Sequence, residues 1–140
     1  MPDIPTDPAG ADPLLRSDPE RRERELRPAL LRGLHRRCPR CGAGPMMLGY
    51  LKLRDECTVC GENFRHARAD DGPAYLTILL VGHLMAPLLH LVFVRFRPEP
   101  IVLAGIFTLG CVALSLYLLP RIKGMLVAFQ WARRMHGFRA

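Results

Sequence analysis

Four cysteines are the residues of this chain best suited to chemistry, and they form two pairs with the same spacing. In single letters the pairs read CPRC from residue 38 and CTVC from residue 57, with a glycine after each. Two Cys-x-x-Cys turns can supply the four thiolates of a tetrahedral zinc site. Glycine fits after such a turn because backbone amides that point at a thiolate often require a positive φ. The pattern predicts one structural Zn²⁺ per chain, with four metal ligands: Cys38, Cys41, Cys57 and Cys60.

The same cysteines are compatible with three other kinds of site: a redox dithiol, a disulfide staple, or a Cu(I) site built from one pair. The compartment decides between them, because a reducing cytoplasm keeps thiols available for metal. A closed four-thiolate site has no open coordination position, so it is typical of a scaffold rather than a catalyst. The chain also lacks a serine nucleophile with its base and a glycine-rich phosphate loop, so we expect no enzyme.

Two long apolar segments follow the cysteines, and their length decides whether the protein is a membrane protein. Residues 74–94 and 101–119 contain no Asp, Glu, Lys or Arg, and each can cross a hydrocarbon core of about 30 Å as a helix. Buried core helices of a soluble protein are the alternative, but nothing else in the chain could cover them. We therefore expect transmembrane helices at 70–94 and 101–120, joined by a connector at 95–100.

The first span opens on the residues DDGP, beginning at Asp70. Acidic side chains accept hydrogen bonds from the unpaired amides of a helix start, and proline fits the first turn. These residues therefore predict a side-chain cap. The alternative is that Asp70 or Asp71 contacts an arginine of the cysteine module or a partner protein.

Basic residues flank the predicted hairpin unequally. The connector carries only Arg95 and Arg97, whereas more basic residues lie outside the two spans: Lys52, Arg54, Arg65, Arg68, Arg121, Lys123, Arg133, Arg134 and Arg139. The positive-inside rule therefore places both termini and the cysteines in the cytoplasm. A net charge of +7 would also suit nucleic acid, but no aromatic residues interleave the basic ones between residues 30 and 49. We expect the lipid bilayer as the partner of these charges, and no nucleic acid.

His83 and His90 are ionisable residues inside the first span, where such groups usually face protein or a cavity. They are seven residues apart on one helix face, and Pro87 between them removes a helical hydrogen bond. One interpretation is a pair of neutral contacts between helices, with Cys111 at similar depth in the second span. The others are haem or copper ligation, which makes His83 and His90 candidate cofactor-binding residues, or a polar contact with a partner's transmembrane helix.

The two ends of the chain complete the expected organisation. Residues 1–28 are rich in Pro, Asp and Arg and predict a disordered tail, and residues 29–69 hold a zinc-ribbon-like module of short β-hairpins or knuckles. Apolar residues at helical spacing between basic ends predict an interfacial amphipathic helix over residues 121–140. The predicted fold class is a mainly α membrane protein with an N-terminal zinc ribbon, a two-helix transmembrane hairpin and this C-terminal helix.

The order of these motifs resembles the DUF983 family of small bacterial membrane proteins. The pieces that carry the resemblance lie between Arg32 and Phe138: CPRCG, CTVCG, RADDGPAY before Gly82-His83, and KGMLVAFQWARRMHGF. The resemblance implies a zinc ribbon on the same four cysteines, no assigned function, and genes placed among those for cytochrome c oxidase subunits and assembly factors.

Together these observations lead us to expect a non-enzymatic, multi-pass protein of the bacterial inner membrane. It would act as an adaptor or assembly factor for a membrane-protein partner, such as a respiratory oxidase subunit or assembly factor, without a small-molecule substrate. The alternative is a metal (copper or haem) or thiol-redox handling protein that uses the cysteine pairs or His83 and His90.

Overall fold

A computed structural model of the chain describes residues 25–138, and its regular secondary structure is helical. The three helices of this range are α1 (Leu26–Leu34), α2 (Gly72–Phe96) and α3 (Pro100–Ala132). Between residues 25 and 138, β-structure is limited to isolated bridges. The predicted fold class is confirmed: a mainly helical chain with two apolar helices and a four-cysteine cluster. Residues 1–24, the larger part of the predicted tail, lie outside the described residues.

Helices α2 and α3 pack together as an antiparallel hairpin with a three-residue connector. Arg97 ends α2 in the left-handed conformation (φ 44°), and its amide donates to the Phe93 carbonyl oxygen. Pro100 then starts α3, where a missing amide hydrogen costs nothing. Both helices are long and apolar enough to cross a membrane, and most of their large apolar side chains are exposed. These two helices indicate a membrane protein, because lipid would cover this surface.

The start of α2 differs from the expected cap. Asp71 precedes the helix, but its side chain makes no capping hydrogen bond. The reason is its backbone, which is already helical (φ −90°, ψ −23°), whereas a capping residue needs an extended conformation to reach the amides ahead of it. The capping role predicted for Asp71 is therefore wrong, and Pro73 in the first turn marks the helix start.

Helix α3 continues through Pro120 to Ala132, and this changes the expected C-terminal element. The separate helix predicted for residues 121–140 is, as far as residue 138, the last third of α3 and a short tail. Pro120 leaves the carbonyl of Leu116 without its helical donor, and the Tyr50 hydroxyl donates to that carbonyl instead. Four apolar side chains of this last third are buried in protein rather than directed at headgroups: Ile122, Val127, Ala128 and Trp131. Three others are half-buried: Met125, Leu126 and Phe129.

The last third of α3 shares one core with α1 and the cysteine module. We call this unit, residues 26–71 and 121–138, the head. Its buried side chains come from all parts of the unit: Ala29, Cys38, Met46, Cys57, Phe64, Ala69, Val127, Trp131 and Phe138. A cysteine module of roughly thirty residues is too small to form a core of its own, and it packs against α3 instead. Because α3 belongs to both units, the head is joined directly to the membrane hairpin.

Helix α1 crosses α3 at a pair of glycines. A Cβ atom on Gly33 would overlap the carbonyl oxygen of Gly124 and lie 2.6 Å from the Cβ of Ala128. A Cβ atom on Gly124 would in turn overlap the carbonyl oxygen of Gly33. The two backbones therefore approach more closely than any side chain at these positions allows.

Gln130 ties the segment before α2 to the last third of α3. Its side-chain nitrogen donates to the carbonyl oxygen of Arg68 (2.6 Å), and its side-chain oxygen accepts from the Arg68 amide (3.0 Å). Gln130 is buried, and the polar atoms of a buried side chain need such partners. One side chain thus pairs with both backbone groups of Arg68, as a neighbouring strand would.

Alanine at Gly33 or Gly124 is expected to destabilise the head, because the added methyl group must overlap the opposing helix. Overpacking of this kind typically costs about 1–3 kcal/mol. The measurement is thermal unfolding of the detergent-purified protein, followed by the emission of its single, buried tryptophan, Trp131. Gly110→Ala is the matched control, since a Cβ atom there meets nothing within 4 Å. Equal unfolding temperatures for the variants at Gly33, Gly124 and Gly110 would contradict the close crossing.

Methionine at Gln130 keeps the length of the side chain but removes both hydrogen bonds to Arg68. A hydrogen bond of this kind contributes about 0.5–1.5 kcal/mol, so the segment of residues 65–71 should open more often when both are lost. Hydrogen–deuterium exchange measures this opening directly. We expect faster exchange in that segment of Gln130→Met, with the amides of α2 beyond its first turn serving as the internal control. Unchanged exchange over residues 65–71 would show that Gln130 does not hold this segment.

Candidate metal centre

Each cysteine pair forms a tight turn with the same backbone pattern. The Gly42 amide donates to the carbonyl oxygen of Cys38 (2.8 Å), and the Gly61 amide donates to that of Cys57 (2.9 Å). Gly42 and Gly61 both have a φ of 71°, a conformation that residues with a Cβ rarely adopt. The turn itself therefore explains the glycine that follows each pair.

A second hydrogen bond closes each turn at the amide of its first cysteine. Cys38 donates to the carbonyl oxygen of Gly44, and Cys57 donates to that of Glu62, both over 2.9 Å. Isolated antiparallel bridges join the arms beside these turns: Arg37 with Pro45, Met47 with Leu53, and Glu56 with Asn63. The cysteines therefore sit on two knuckles of the kind expected for a zinc-ribbon-like module.

The four sulfur atoms converge on one point, all within 4.8 Å of one another. Cys38 Sγ lies 3.6 Å from Cys60 Sγ, and Cys41 Sγ lies 3.8 Å from Cys57 Sγ. Thiolates bound at about 2.3 Å to a tetrahedral zinc ion are about 3.8 Å apart, whereas the sulfurs of a disulfide are about 2.05 Å apart. All four cysteines are free. The donor set and its spacing fit one metal ion, so the structure brings the four predicted ligands together in a cluster that could hold a metal.

The thiols of the cluster differ in their ionisation. Burial raises the pKa of Cys38 and of Cys60 above the ordinary value. At Cys41 burial also acts to raise the pKa, but hydrogen bonds from the amides of Gly44 and Ala43 and from neighbouring thiols outweigh it and lower the pKa to about 6. In the metal-free protein Cys41 is therefore mostly a thiolate at neutral pH. Cys38 and Cys60 keep protons that a bound metal would displace.

Two arginines outside the ligand set connect the knuckles to their surroundings. The Arg32 guanidinium, on α1, donates to the carbonyl oxygens of Pro39 (3.0 Å) and Arg40 (3.1 Å). Arg40 forms an ion pair with Glu62 of the second knuckle (3.3 Å), and because the arginine side chain is mostly exposed to solvent, the pair contributes little. Sequence reasoning missed the role of Arg32, because an arginine six residues before a cysteine pair gives no sign that a helix will place it over the turn.

The four-cysteine cluster is part of the core of the head rather than a surface site. Cys38 and Cys57 are buried, and they share the core with Met46 and Phe64, which are also buried. A ligand set of this kind is rarely preformed in an unfolded chain, so the free energy of metal binding contributes to folding. Metal binding and packing of the head against α3 should therefore depend on each other.

The histidines of α2 lie apart from the cysteine cluster. His83 Nδ1 is 2.8 Å from the carbonyl oxygen of Leu79, and because a carbonyl oxygen can only accept, Nδ1 is the donor of this hydrogen bond. The ring borders a groove of about 390 Å³ between α2 and the last third of α3, whose other lining residues are apolar: Leu76, Leu79, Leu80, Ile122 and Met125.

His90 is also exposed on α2, but it is not among the residues that line this groove. Within residues 25–138, no hydrogen bond joins His83 to Cys111; the bond of the His83 ring is the one to Leu79. The cofactor-binding role of His83 and His90 stays a prediction.

Comparison with known proteins places the chain near one described family. The family model "Protein of unknown function (DUF983)" matches residues 47–131, which is more than half of the chain. The match includes Cys57, Cys60 and both apolar helices as far as Trp131, whereas Cys38 and Cys41 precede it. No curated protein and no solved structure matches the chain.

Serine at Cys57 is expected to remove the bound metal and destabilise the head, because three thiolates and a hydroxyl make a much weaker site. Elemental analysis of the purified protein measures the metal, and Trp131 emission during thermal unfolding measures stability. Cys111→Ser is the matched control, since Cys111 lies in α3 outside the cluster, and it should keep both. Full metal content in Cys57→Ser would rule out the four-thiolate site.

Proposed function

The chain belongs to the DUF983 family, and on that premise we propose that it is a non-enzymatic membrane adaptor or assembly factor whose head is stabilised by one Zn²⁺. The family has no assigned function, so the support comes from the site. One observation carries the proposal: the four thiols face one another within the core of the head. A closed set of this kind leaves no coordination position for a substrate, so the role of the metal is to stabilise the structure of the head.

Zinc is the metal that suits this donor set best. Four thiolates within 4.8 Å of one another can form a soft, tetrahedral site, which selects zinc or iron among the common metals. Zinc has no redox chemistry, and a metal that only holds two knuckles together needs none. The expected content is one zinc ion per chain, bound by the four cysteines of the two knuckles: Cys38, Cys41, Cys57 and Cys60.

We place the head and both termini on the cytoplasmic side of the bacterial inner membrane. The connector between the spans carries Arg95 and Arg97, whereas most of the chain's other basic residues belong to the head or adjoin it. Basic residues near a membrane are retained in the cytoplasm. A cytoplasmic position also keeps the cysteines in a reducing compartment, where thiols are free to bind metal.

The surface of the head offers a docking site for a partner protein. Leu31 of α1 and Val59 of the second knuckle are 59% and 61% exposed. Three exposed arginines lie between Leu31 and Val59 in the sequence: Arg36, Arg37 and Arg40. A surface that combines apolar side chains with guanidinium groups suits a partner with acidic residues around an apolar centre. The partner that the family resemblance implies is a subunit or assembly factor of cytochrome c oxidase.

Metal or thiol-redox handling is the second candidate function, and two observations favour it. The low pKa of Cys41, about 6, would make it a reactive thiolate whenever metal is absent. The hydrogen bond of His83 to Leu79 uses Nδ1 and leaves Nε2 outside that bond, in a ring that borders an apolar groove; a histidine that ligates haem or copper has one ring nitrogen bonded in this way and the other available. On this view the purified protein would contain copper or iron, or would carry oxidised cysteine pairs.

The adaptor proposal is tested by photocrosslinking in living cells, with a photoreactive amino acid placed at Leu31 or Val59 of the full chain. We expect a discrete adduct with another membrane protein, which mass spectrometry identifies, and its loss when Cys57→Ser is added. Ile106, an equally exposed residue in the middle of the apolar segment of α3, is the matched control, and there we expect adducts mainly with lipid.

The outcomes separate the candidate functions. An oxidase subunit or assembly factor in the adduct would support the assembly role, and a different membrane protein would support an adaptor for another complex. The adaptor proposal fails if neither head position gives a protein adduct. Copper or iron in the purified protein, with visible absorbance in the haem region, would instead favour the metal-handling function.

A further inference from the structure

A loop between the two cysteine knuckles carries apolar side chains that the rest of the head does not cover. We call residues 48–51, with the sequence LGYL, the apolar tip. Leu48 is 55% exposed and Tyr50 is 45% exposed. The Leu48 amide donates to the carbonyl oxygen of Lys52 (2.8 Å), just beyond the bridge between Met47 and Leu53. The tip is therefore the hydrogen-bonded end of a short hairpin, which holds these side chains outward.

The hairpin runs along α3 from the head towards the membrane span. Met46, at its base, lies beside Gly124, and the Tyr50 hydroxyl donates to the carbonyl oxygen of Leu116. These two positions of α3 are eight residues apart, which corresponds to about 12 Å along a helix axis. The tip thus extends roughly two helical turns beyond the core of the head.

The point that Tyr50 reaches lies inside the apolar part of α3. Residues 101–119 contain no charged residue, and the helix is apolar enough to cross a membrane. The first charged residue on the head side is Arg121, whose guanidinium lies 4.2 Å from the centre of the Tyr117 ring. A tyrosine and an arginine in contact are typical of the boundary between headgroups and hydrocarbon. Leu116, one turn deeper than Pro120, therefore lies at the edge of the hydrocarbon.

The hydrogen bond to Leu116 gives a reason for the tip to be at this depth. Pro120 removes the amide that would have paired with the Leu116 carbonyl, and an unpaired carbonyl is costly where water is absent. A tyrosine suits this position because its ring is apolar and its hydroxyl can donate. The apolar neighbours of Tyr50 in the tip would otherwise be exposed to water.

We propose that the apolar tip inserts into the lipid bilayer beside α3, with Leu48 among the acyl chains and the Tyr50 ring at the headgroup boundary. The partner of this surface is the lipid of the leaflet on the head side. Lys52 follows the tip and is exposed, so its ammonium group is placed to meet anionic headgroups. The chain then enters the membrane at two places: through the hairpin of α2 and α3, and through the apolar tip of the head. This inference does not depend on the adaptor function or on the identity of the metal.

The experiment measures the depth of position 48 with a fluorescent side chain. Leu48→Trp and Val59→Trp are each made in the full chain carrying Trp131→Phe, so that each variant has one indole, and are reconstituted into phosphatidylcholine vesicles. Val59 is the matched control because it is an equally exposed aliphatic residue of the same module, on a knuckle rather than at the tip. Retained metal content shows that each variant is folded.

Quenching by bromine atoms on the lipid acyl chains should be several-fold stronger for Leu48→Trp than for Val59→Trp, and quenching by aqueous iodide should follow the opposite order. Equal lipid quenching at the two positions, or preferential iodide quenching at position 48, would overturn the proposal. Protection of position 48 from both quenchers would place the tip against a protein, another copy of the chain included, and would also overturn it. If Trp131→Phe impairs folding, the same variants are compared with Trp131 retained, after subtraction of the emission of the unmodified chain.

Discussion

Helix α3 has to face lipid along its first two thirds and protein along its last third, and the contacts of the head depend on this change of surroundings. Between Ile101 and Leu119 its side chains are mostly exposed, whereas beyond Pro120 most of them are buried or half-buried in the head. Helix α3 continues through Pro120, and Tyr50 supplies the hydrogen bond that the proline removes. A break at this point would separate the head from the hairpin, so an apparent helix breaker lies at the position where continuity matters most.

The four-cysteine cluster and α3 have complementary places in the head. A metal ion held by the four sulfurs, which lie within 4.8 Å of one another, would fix the two knuckles to each other but would not determine how the module packs on the rest of the chain. That placement comes from the crossing of Gly33 with Gly124 and from the pairing of Gln130 with Arg68. Both kinds of contact are expected to contribute to stability, because a module of this size has little apolar surface to bury by itself.

Local patterns were predictable from the sequence, and long-range packing was not. The spacing of the cysteines identified the four residues of the cluster, and uncharged length identified the two apolar helices, because both signals depend on residues close together in sequence. The hydrogen bond of Tyr50 to Leu116 joins residues 66 positions apart in the sequence, and no local pattern could reveal it. The apolar residues after Pro120 predict a helix that faces the membrane surface, because periodicity shows that a helix face is apolar but not what covers it. Helix α1 was missed for a related reason: Gly33 lowers its helix propensity, and only the partner glycine of α3 explains that residue.

The attachment of the head has a consequence for how it would present a docking surface. Helix α3 joins the head to the hairpin without a flexible linker, and Gln130 holds the segment that leads into α2. Rotation of the head about α3 would therefore break the pairing with Arg68 or separate Gly33 from Gly124. A head held in this way keeps Leu31 and Val59 in a fixed orientation relative to the hairpin, so a membrane partner would meet a preorganised surface and lose less conformational entropy on binding. A head on a flexible linker could reach more partners, but each would bind more weakly for the same contacts, so the rigid attachment would suit the single membrane partner that we propose.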